Sequence, residues 1–188
     1  YAEGEDERVL RAAQVVITEG LARPILIGRP EIIERRATQL GLAIKPGSDF
    51  EVVNPASDRR YADYVAFYHG LMERKGVSPD LARTLVRTNS TVIAALAVRK
   101  GDADAMICGT IGRFHMHLQM IDDIIGRKAS VGALYALSLL IVPCGTLFMC
   151  DTYVNEEPDA AQLCEMTLLA AEEIRRFGLE PKAALLSN

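Results

Sequence analysis

The 188-residue sequence has no tryptophan, and Phe, Tyr and Trp together make up only 6% of it. That scarcity argues against base-stacking platforms and aromatic carbohydrate sites, which need several exposed rings. It also lacks an excess of positive charge. Lys and Arg number 21 against 25 Asp and Glu, for a formal net charge of -4 and a pI near 5.5. Without a basic block to neutralise phosphates, nucleic-acid binding is not expected. Cysteine is sparse, with only Cys108, Cys144, Cys150 and Cys164 and no C-x-x-C pair. Structural zinc is therefore not expected, and the four read as reduced, buried thiols of a cytoplasmic protein. There is no Walker A loop, G-x-G-x-x-G run or G-x-S-x-G elbow, so no catalytic residue is assigned. The opening Glu3, Glu5, Asp6, Glu7 and Arg8 are too charged for a signal peptide.

What is present suits one or two soluble domains: 49% of residues are hydrophobic and 24% charged. Residues 129–150 carry no charge, which is close to the length of a membrane span. Pro143 and Gly145 interrupt that run. It reads as two buried segments, 130–142 and 146–150, joined by a turn at Pro143-Cys144-Gly145-Thr146, and no membrane helix is expected.

Apolar periodicity predicts helices over residues 5–19, from Pro30 to about 40, 59–74, from Ser78-Pro79-Asp80 onward, 91–100, about 117–125 and 160–177. Short apolar runs predict strands at 25–27, 50–53, 103–108 and 182–186. Strands alternating with helices imply an α/β fold with a mainly parallel sheet covered on both faces. Gly126-Arg127-Lys128 marks a boundary between a first subdomain, 1–128, and the start of a second, 129–188. Tyr1-Ala2 ahead of a helix, and a strand finishing at Ser187-Asn188, suggest a fold truncated at both ends.

The best local candidate for chemistry is Gly109-Thr110-Ile111-Gly112-Arg113, between an expected strand and an expected helix. Two glycines allow close backbone approach, and N–H groups at a helix start, with Thr110 and Arg113, suit a phosphate or pyrophosphate. The alternative is an ordinary strand-to-helix turn. His115 and His117 follow, and they share a face only in an extended chain. A metal would need Asp122 or Asp123 as well; polar residues lining a cleft without metal are the favoured reading. Glu3, Glu5, Asp6 and Glu7 crowd a helix start, where the macrodipole stabilises them. Glu165, Glu172, Glu173, Arg175 and Arg176 read as a solvated, ion-paired face. Met166, Leu168, Leu169 and Ile174 read as core.

Several runs resemble the phosphate acetyl/butyryltransferase family. They are residues 3–13 (EGEDERVLRAA), 22–28 (ARPILIG), 100–109 (KGDADAMICG) and 181–187 (PKAALLS). Within it, residues 50–55 (FEVVNP), 106–110 (MICGT), 151–155 (DTYVN) and 175–182 (RRFGLEPK) resemble the phosphotransacetylase-like C-terminal domain of bacterial NADP-dependent malic enzymes. The resemblance implies a three-layer α/β/α fold of the isocitrate/isopropylmalate dehydrogenase type, usually dimeric. Active members move acetyl between coenzyme A and phosphate without a metal, using a Ser/Thr-rich loop that ends in Leu-Arg. Here Leu118 matches that Leu and Gln119 stands in place of the Arg. A neutral amide does not replace a guanidinium on phosphate. The implied role is a regulatory domain that senses acetyl-CoA, lacks transacetylase turnover and damps malate decarboxylation in cis. Gly109, Thr110, Gly112, Arg113, His115, His117 and Gln119 would then be ligand-binding. NADP and a divalent metal would belong to a preceding catalytic domain. The alternatives are an active transacetylase and a ligand-free oligomerisation module.

Overall fold

Four polar residues stand one position ahead of a helix and accept hydrogen bonds from its first-turn N–H groups, satisfying donors that the helix itself cannot. Asp6 caps α1 (Glu7–Thr18), Ser78 caps α4 (Pro79–Thr88), Asn89 caps α5 (Ser90–Lys100) and Asp159 caps α7 (Ala160–Arg176). Asp159 and Gln162 form a reciprocal capping box, with bonds of 2.8 and 2.9 Å. Pro30 opens α2 (Pro30–Gln39), where its missing N–H is no loss. α3 (Tyr61–Met72) runs into a 3-10 turn at Glu73–Lys75, and α6 covers Phe114–Ile124. The strands are β1 (Ile25–Ile27), β2 (Glu51–Val53), β3 (Leu137–Val142) and β4 (Gly145–Cys150). The computed structural model describes residues 1–143 and 145–186; Cys144 of the expected turn, and Ser187-Asn188 after the expected last strand, lie outside the described residues.

The chain divides into two compact units, Tyr1–Gly126 and Arg127–Asn188. In the first, β1 and β2 pair in parallel, Ile25 opposite Glu51 and Ile27 opposite Val53. Their pleat sends neighbouring residues into two separate cores. Leu26 joins Val9, Leu10 and Ala13 of α1, Ile33 and Ala37 of α2, and Phe50. Ile27 and Val53 join Tyr64, Tyr68 and Met72 of α3, Ala82 and Val86 of α4, and Ile124 of α6. α5 belongs to this second core, and every residue from Thr91 to Ala97 is buried. A helix that is apolar all round belongs inside.

Residues 1–4 run beside β1. Ile27 N donates to Tyr1 O and Gly4 N to Ile27 O, each at 3.1 Å. On the far side, Ala2 N donates to Ile107 O at 2.9 Å. Residues 103–108, expected as a strand, carry no strand assignment. Ala2 is their link to this segment, and a ladder needs bonds repeated along its length.

The second unit holds an antiparallel β3–β4 hairpin, with Leu137 opposite Cys150 and Val142 opposite Gly145, and the helix α7. Among the described residues, the mainly parallel sheet expected from sequence is thus replaced by one short parallel strand pair and one antiparallel pair. The physical reason is the tight turn at Pro143, which can reverse the chain but cannot supply a parallel crossover. The segments expected to be buried hold no buried residue, and Ile141 is 82% exposed. Cys150 and Cys164 are exposed and Cys108 is partly buried, so these three thiols are not core residues. Met166 of α7 is buried, but Leu168 is 66% exposed. Residues 182–186 form no strand, and Leu186 is 91% exposed. One hairpin and one helix offer too little surface to cover these side chains. Glu165 is half-exposed, and it accepts from Gly132 N at 3.0 Å and Tyr135 Oη at 2.6 Å. Glu172 and Glu173 do pair with Arg176. No described helix is long and apolar enough to cross a membrane.

A Cβ on Gly4 would lie 2.8 Å from Ile27 O and 2.9 Å from both Ile27 N and Leu26 Cβ. Gly4→Ala is expected to destabilise the first unit by about 1–3 kcal/mol, as overpacking of a tight contact does. A urea midpoint equal to the unsubstituted protein's would show that this approach relaxes freely.

Candidate functional site

In parallel α/β sheets, ligands gather beyond the carboxyl ends of the strands. Here those ends are bound together by the acidic opening of the chain. Glu5, just past the segment beside β1, accepts from Arg29 N at 2.9 Å, Arg29 Nε at 2.9 Å and Arg29 Nη2 at 2.8 Å. Arg36 of α2 donates to Glu5 O. The hydrogen-bonded Arg29 guanidinium holds the Glu5 carboxyl below its ordinary range. Glu3 reaches the other way and accepts from Gly109 N at 2.9 Å. Asp6 and Glu7 stand at the start of α1, as expected from the macrodipole. Glu3 and Glu5 instead join the Gly109 loop and the start of α2 to the segment beside β1.

Asp6 both caps α1 and grips Arg8 through two bonds of 3.0 Å, Nε to Oδ1 and Nη2 to Oδ2. The same Arg8 Nη2 donates to Thr110 O at 3.1 Å. Loop residues Gly109 and Thr110 are therefore each tied to the chain's opening, one through an N–H and one through a carbonyl.

The loop turns through two glycines in the left-handed region, Gly109 at φ 93° and Gly112 at φ 111°. α6 begins directly after it, at Phe114, earlier than the expected start near residue 117. No Gly or Pro in residues 114–116 delays the helix. Arg113 occupies its N-cap position without a side-chain cap bond, and Met116 N donates to Arg113 O at 3.0 Å. Because His115 and His117 lie on a helix, their rings point to different faces. His115 and Gln119, four apart, share the outer face and are exposed, as is Arg113; Thr110 is half-buried. The His115 ring packs edge-on against Phe114, with centroids 5.6 Å apart.

His117 faces inward. Its Nε2 lies 2.9 Å from Ile111 O, and its Nδ1 lies 2.8 Å from Thr91 Oγ1. Both ring nitrogens have protein partners, so this candidate ligand residue is part of the loop's support. Thr91 was missed by sequence reasoning. The available signal was a lone hydroxyl opening the apolar run 91–98, since a buried polar side chain requires a partner. Arg8 left no such signal, because its partner is a loop carbonyl that no spacing rule identifies.

Asp123 pairs with Lys75. Among the described residues no group of three His, Cys, Asp or Glu side chains could hold a metal ion. Burial, and after it the neighbouring Glu3 carboxylate, push the Cys108 thiol up from its ordinary value. A thiol kept protonated is a poor nucleophile. A cavity of about 390 Å³ in the same unit is lined by Arg23, Pro24, Ile25, Asp102, Asp104 and Met106, among others, and by none of loop residues 109–113.

The hydrogen-bonded Arg8 guanidinium holds the Asp6 carboxyl down at about 2, against an ordinary 3.8. A depressed carboxyl stabilises the fold above its unfolded value and loses that effect as pH falls through the folded one. The stability difference between the unsubstituted protein and Asp6→Asn is therefore expected to be full above pH 3.8 and to vanish as pH falls through about 2. Thermal melts across that range check it, and a difference that persists below the lower value would contradict the assignment.

Comparison with known proteins agrees with this architecture. The family profile described as phosphate acetyl/butaryl transferase matches residues 1–188. The chain is 57% identical over 188 residues to a NAD-dependent malic enzyme of Rhizobium meliloti (strain 1021), covering all of this chain and 24% of that protein. It is 50% identical over 186 residues to a NADP-dependent malic enzyme of Escherichia coli (strain K12), covering 99% of this chain and again 24% of the relative. The chain thus spans about a quarter of the length of these curated relatives. A phosphotransacetylase from Streptococcus pyogenes superposes with a TM-score of 0.87 at 28% identity, covering 99% of this chain and 56% of that one. From its acidic opening to its last residue, this chain belongs to the phosphate acetyl/butyryl transferase family.

Proposed function

We propose that this chain is the phosphotransacetylase-like region of a malic enzyme, that it binds acetyl-CoA as an effector, and that it lacks transacetylase turnover. The observation that carries the reading is the match of its whole length, at 57% and 50% identity, to a quarter of two malic enzymes. The three-layer, dehydrogenase-like arrangement proposed for the family is supported by the two cores on opposite sides of β1 and β2.

The ligand loop is formed by Gly109, Thr110, Gly112 and Arg113, with His115 and Gln119 on the exposed face of α6. The first turn of α6 and the Arg113 guanidinium favour an anionic group. Gln119 supplies an amide where the resemblance places a phosphate-binding Arg. An amide can hydrogen-bond a ligand but cannot neutralise a phosphate, so binding survives and turnover does not. Regulation then requires that acetyl-CoA bind two conformations of the assembly with different affinity. The nicotinamide coenzyme and divalent metal are assigned to a catalytic region elsewhere in the polypeptide. The relatives' own names divide between NAD and NADP, so the coenzyme choice belongs to that region. A cytoplasmic homo-oligomer completes the proposal.

A second reading, an active phosphate acetyltransferase, is favoured by the likeness to the Streptococcus pyogenes phosphotransacetylase. A third, an oligomerisation module without ligand, predicts no response to acetyl-CoA.

Calorimetric titration of acetyl-CoA into the full-length protein, beside a malate-dependent assay with NAD and with NADP, separates the three. Binding with altered malate turnover is the expected outcome. Formation of acetyl phosphate would support the transacetylase, and absence of both binding and rate change would support the structural module. Gln119→Arg alone is expected to give no acetyl-CoA formation from acetyl phosphate, because residues 113–117 also depart from the Ser/Thr-rich pattern. Measurable synthesis in that variant would overturn the loss-of-turnover reading.

A further inference from the structure

We infer that His117 is a positioning residue: its imidazole, protonated at Nε2 toward Ile111 O, bolts the ligand loop to the buried start of α5, where Thr91 bonds Nδ1. The chemistry of the two contacts fixes the assignment. Ile111 O can only accept, so the ring must carry its proton on Nε2 to bond it at 2.9 Å. Nδ1 of the neutral ring is then an acceptor, and Thr91 Oγ1 donates to it at 2.8 Å. Thr91 is 1% exposed and sits in the first turn of α5, the most enclosed helix of the unit.

Packing adds a second, independent argument. A Cβ on Gly112 would lie 2.7 Å from His117 Nε2, and one on Gly109 would lie 4.0 Å from His117 Cδ2. The ring therefore lies against both glycines that turn the loop. The contact distance at Gly112, together with its positive φ, excludes any side chain there. Glu3 holds Gly109 N at 2.9 Å, and Arg8 holds Thr110 O from the other side. Arg8, which holds Thr110 O, is 69% exposed, and an exposed contact contributes little. His117 is the tether that connects the loop to α5.

For its functional consequence this inference rests on the acetyl-CoA reading, but the tether itself can be tested without a ligand. Hydrogen exchange measured by mass spectrometry on the full-length protein reports the loop peptide spanning residues 109–113, with the α1 peptide as an internal control of folding. An amide N–H in Gln reaches about as far as Nε2, whereas that of Asn reaches about as far as Nδ1. Losing one hydrogen bond of ordinary net strength speeds exchange about fivefold to tenfold. His117→Asn and Thr91→Val are expected to show that increase in the loop, with α1 unchanged. His117→Gln and Thr91→Ser, which keep the relevant donors, are expected to stay within about twofold of the unsubstituted protein. Unchanged exchange in His117→Asn would overturn the proposal. So would equal loss in His117→Gln and His117→Asn, because the ring would then act by packing alone. Acetyl-CoA titrated into the same proteins forms the second arm, with affinity expected to fall in step with loop exchange. If the unsubstituted protein does not bind acetyl-CoA, the sensor reading fails while the exchange data still decide the tether.

Discussion

The first unit depends on a backbone contact that only glycine permits. Residues 1–4 lie against β1 so closely that a methyl group on Gly4 would overlap both the Ile27 peptide and Leu26. That contact places Glu3 and Glu5 at the carboxyl ends of the strands. From there their side chains reach the Gly109 loop on one side and the start of α2 on the other. The sheet itself is small, with three paired residues in each of β1 and β2. Side-chain carboxylates take over part of the joining that a longer ladder would supply through backbone bonds.

This arrangement shapes the chemistry of the loop. An anion approaching Gly109 meets an N–H already donated to Glu3, so the first donor of the expected cradle is engaged by the protein's own carboxylate. The first turn of α6 and the exposed Arg113 remain the groups best suited to an incoming negative charge. Charge on the other face of the loop is balanced internally, with Arg8 shared between Asp6 and Thr110 O. The loop is therefore an organised surface, braced by a carboxylate, a guanidinium and an imidazole, with Arg113 on its exposed side.

The second unit shows the opposite balance. Its elements form by local chemistry: a capping box starts α7, and a turn at Pro143 closes the hairpin. Burial does not follow, because most of its large apolar side chains remain exposed. Asp151 and Glu165 do much of the organising. Asp151 accepts from Ala136 N at 2.9 Å and Asn155 N at 2.9 Å, while Glu165 holds Gly132 and Tyr135. Hydrogen bonding can order such a unit, but the hydrophobic contribution scales with the area removed from water.

The sequence alone determined where α2, α4 and α7 begin, which family the chain resembles, and which loop carries unusual residues. Those properties are local: Asp6, Ser78, Asn89 and Asp159 cap the helices that follow them, and Gly109 and Gly112 shape a turn wherever they are placed. Only the tertiary structure decided which side chains complete the loop and which apolar runs are covered. Glu3 and Gly109, Arg8 and Thr110, and Thr91 and His117 are far apart in the chain, and nothing in residue spacing links them. The expected strand at 103–108 failed for the same reason. A strand exists only when a partner offers repeated hydrogen bonds, and burial exists only when another element covers the face. Both are properties of neighbours in space, which the order of residues does not specify locally.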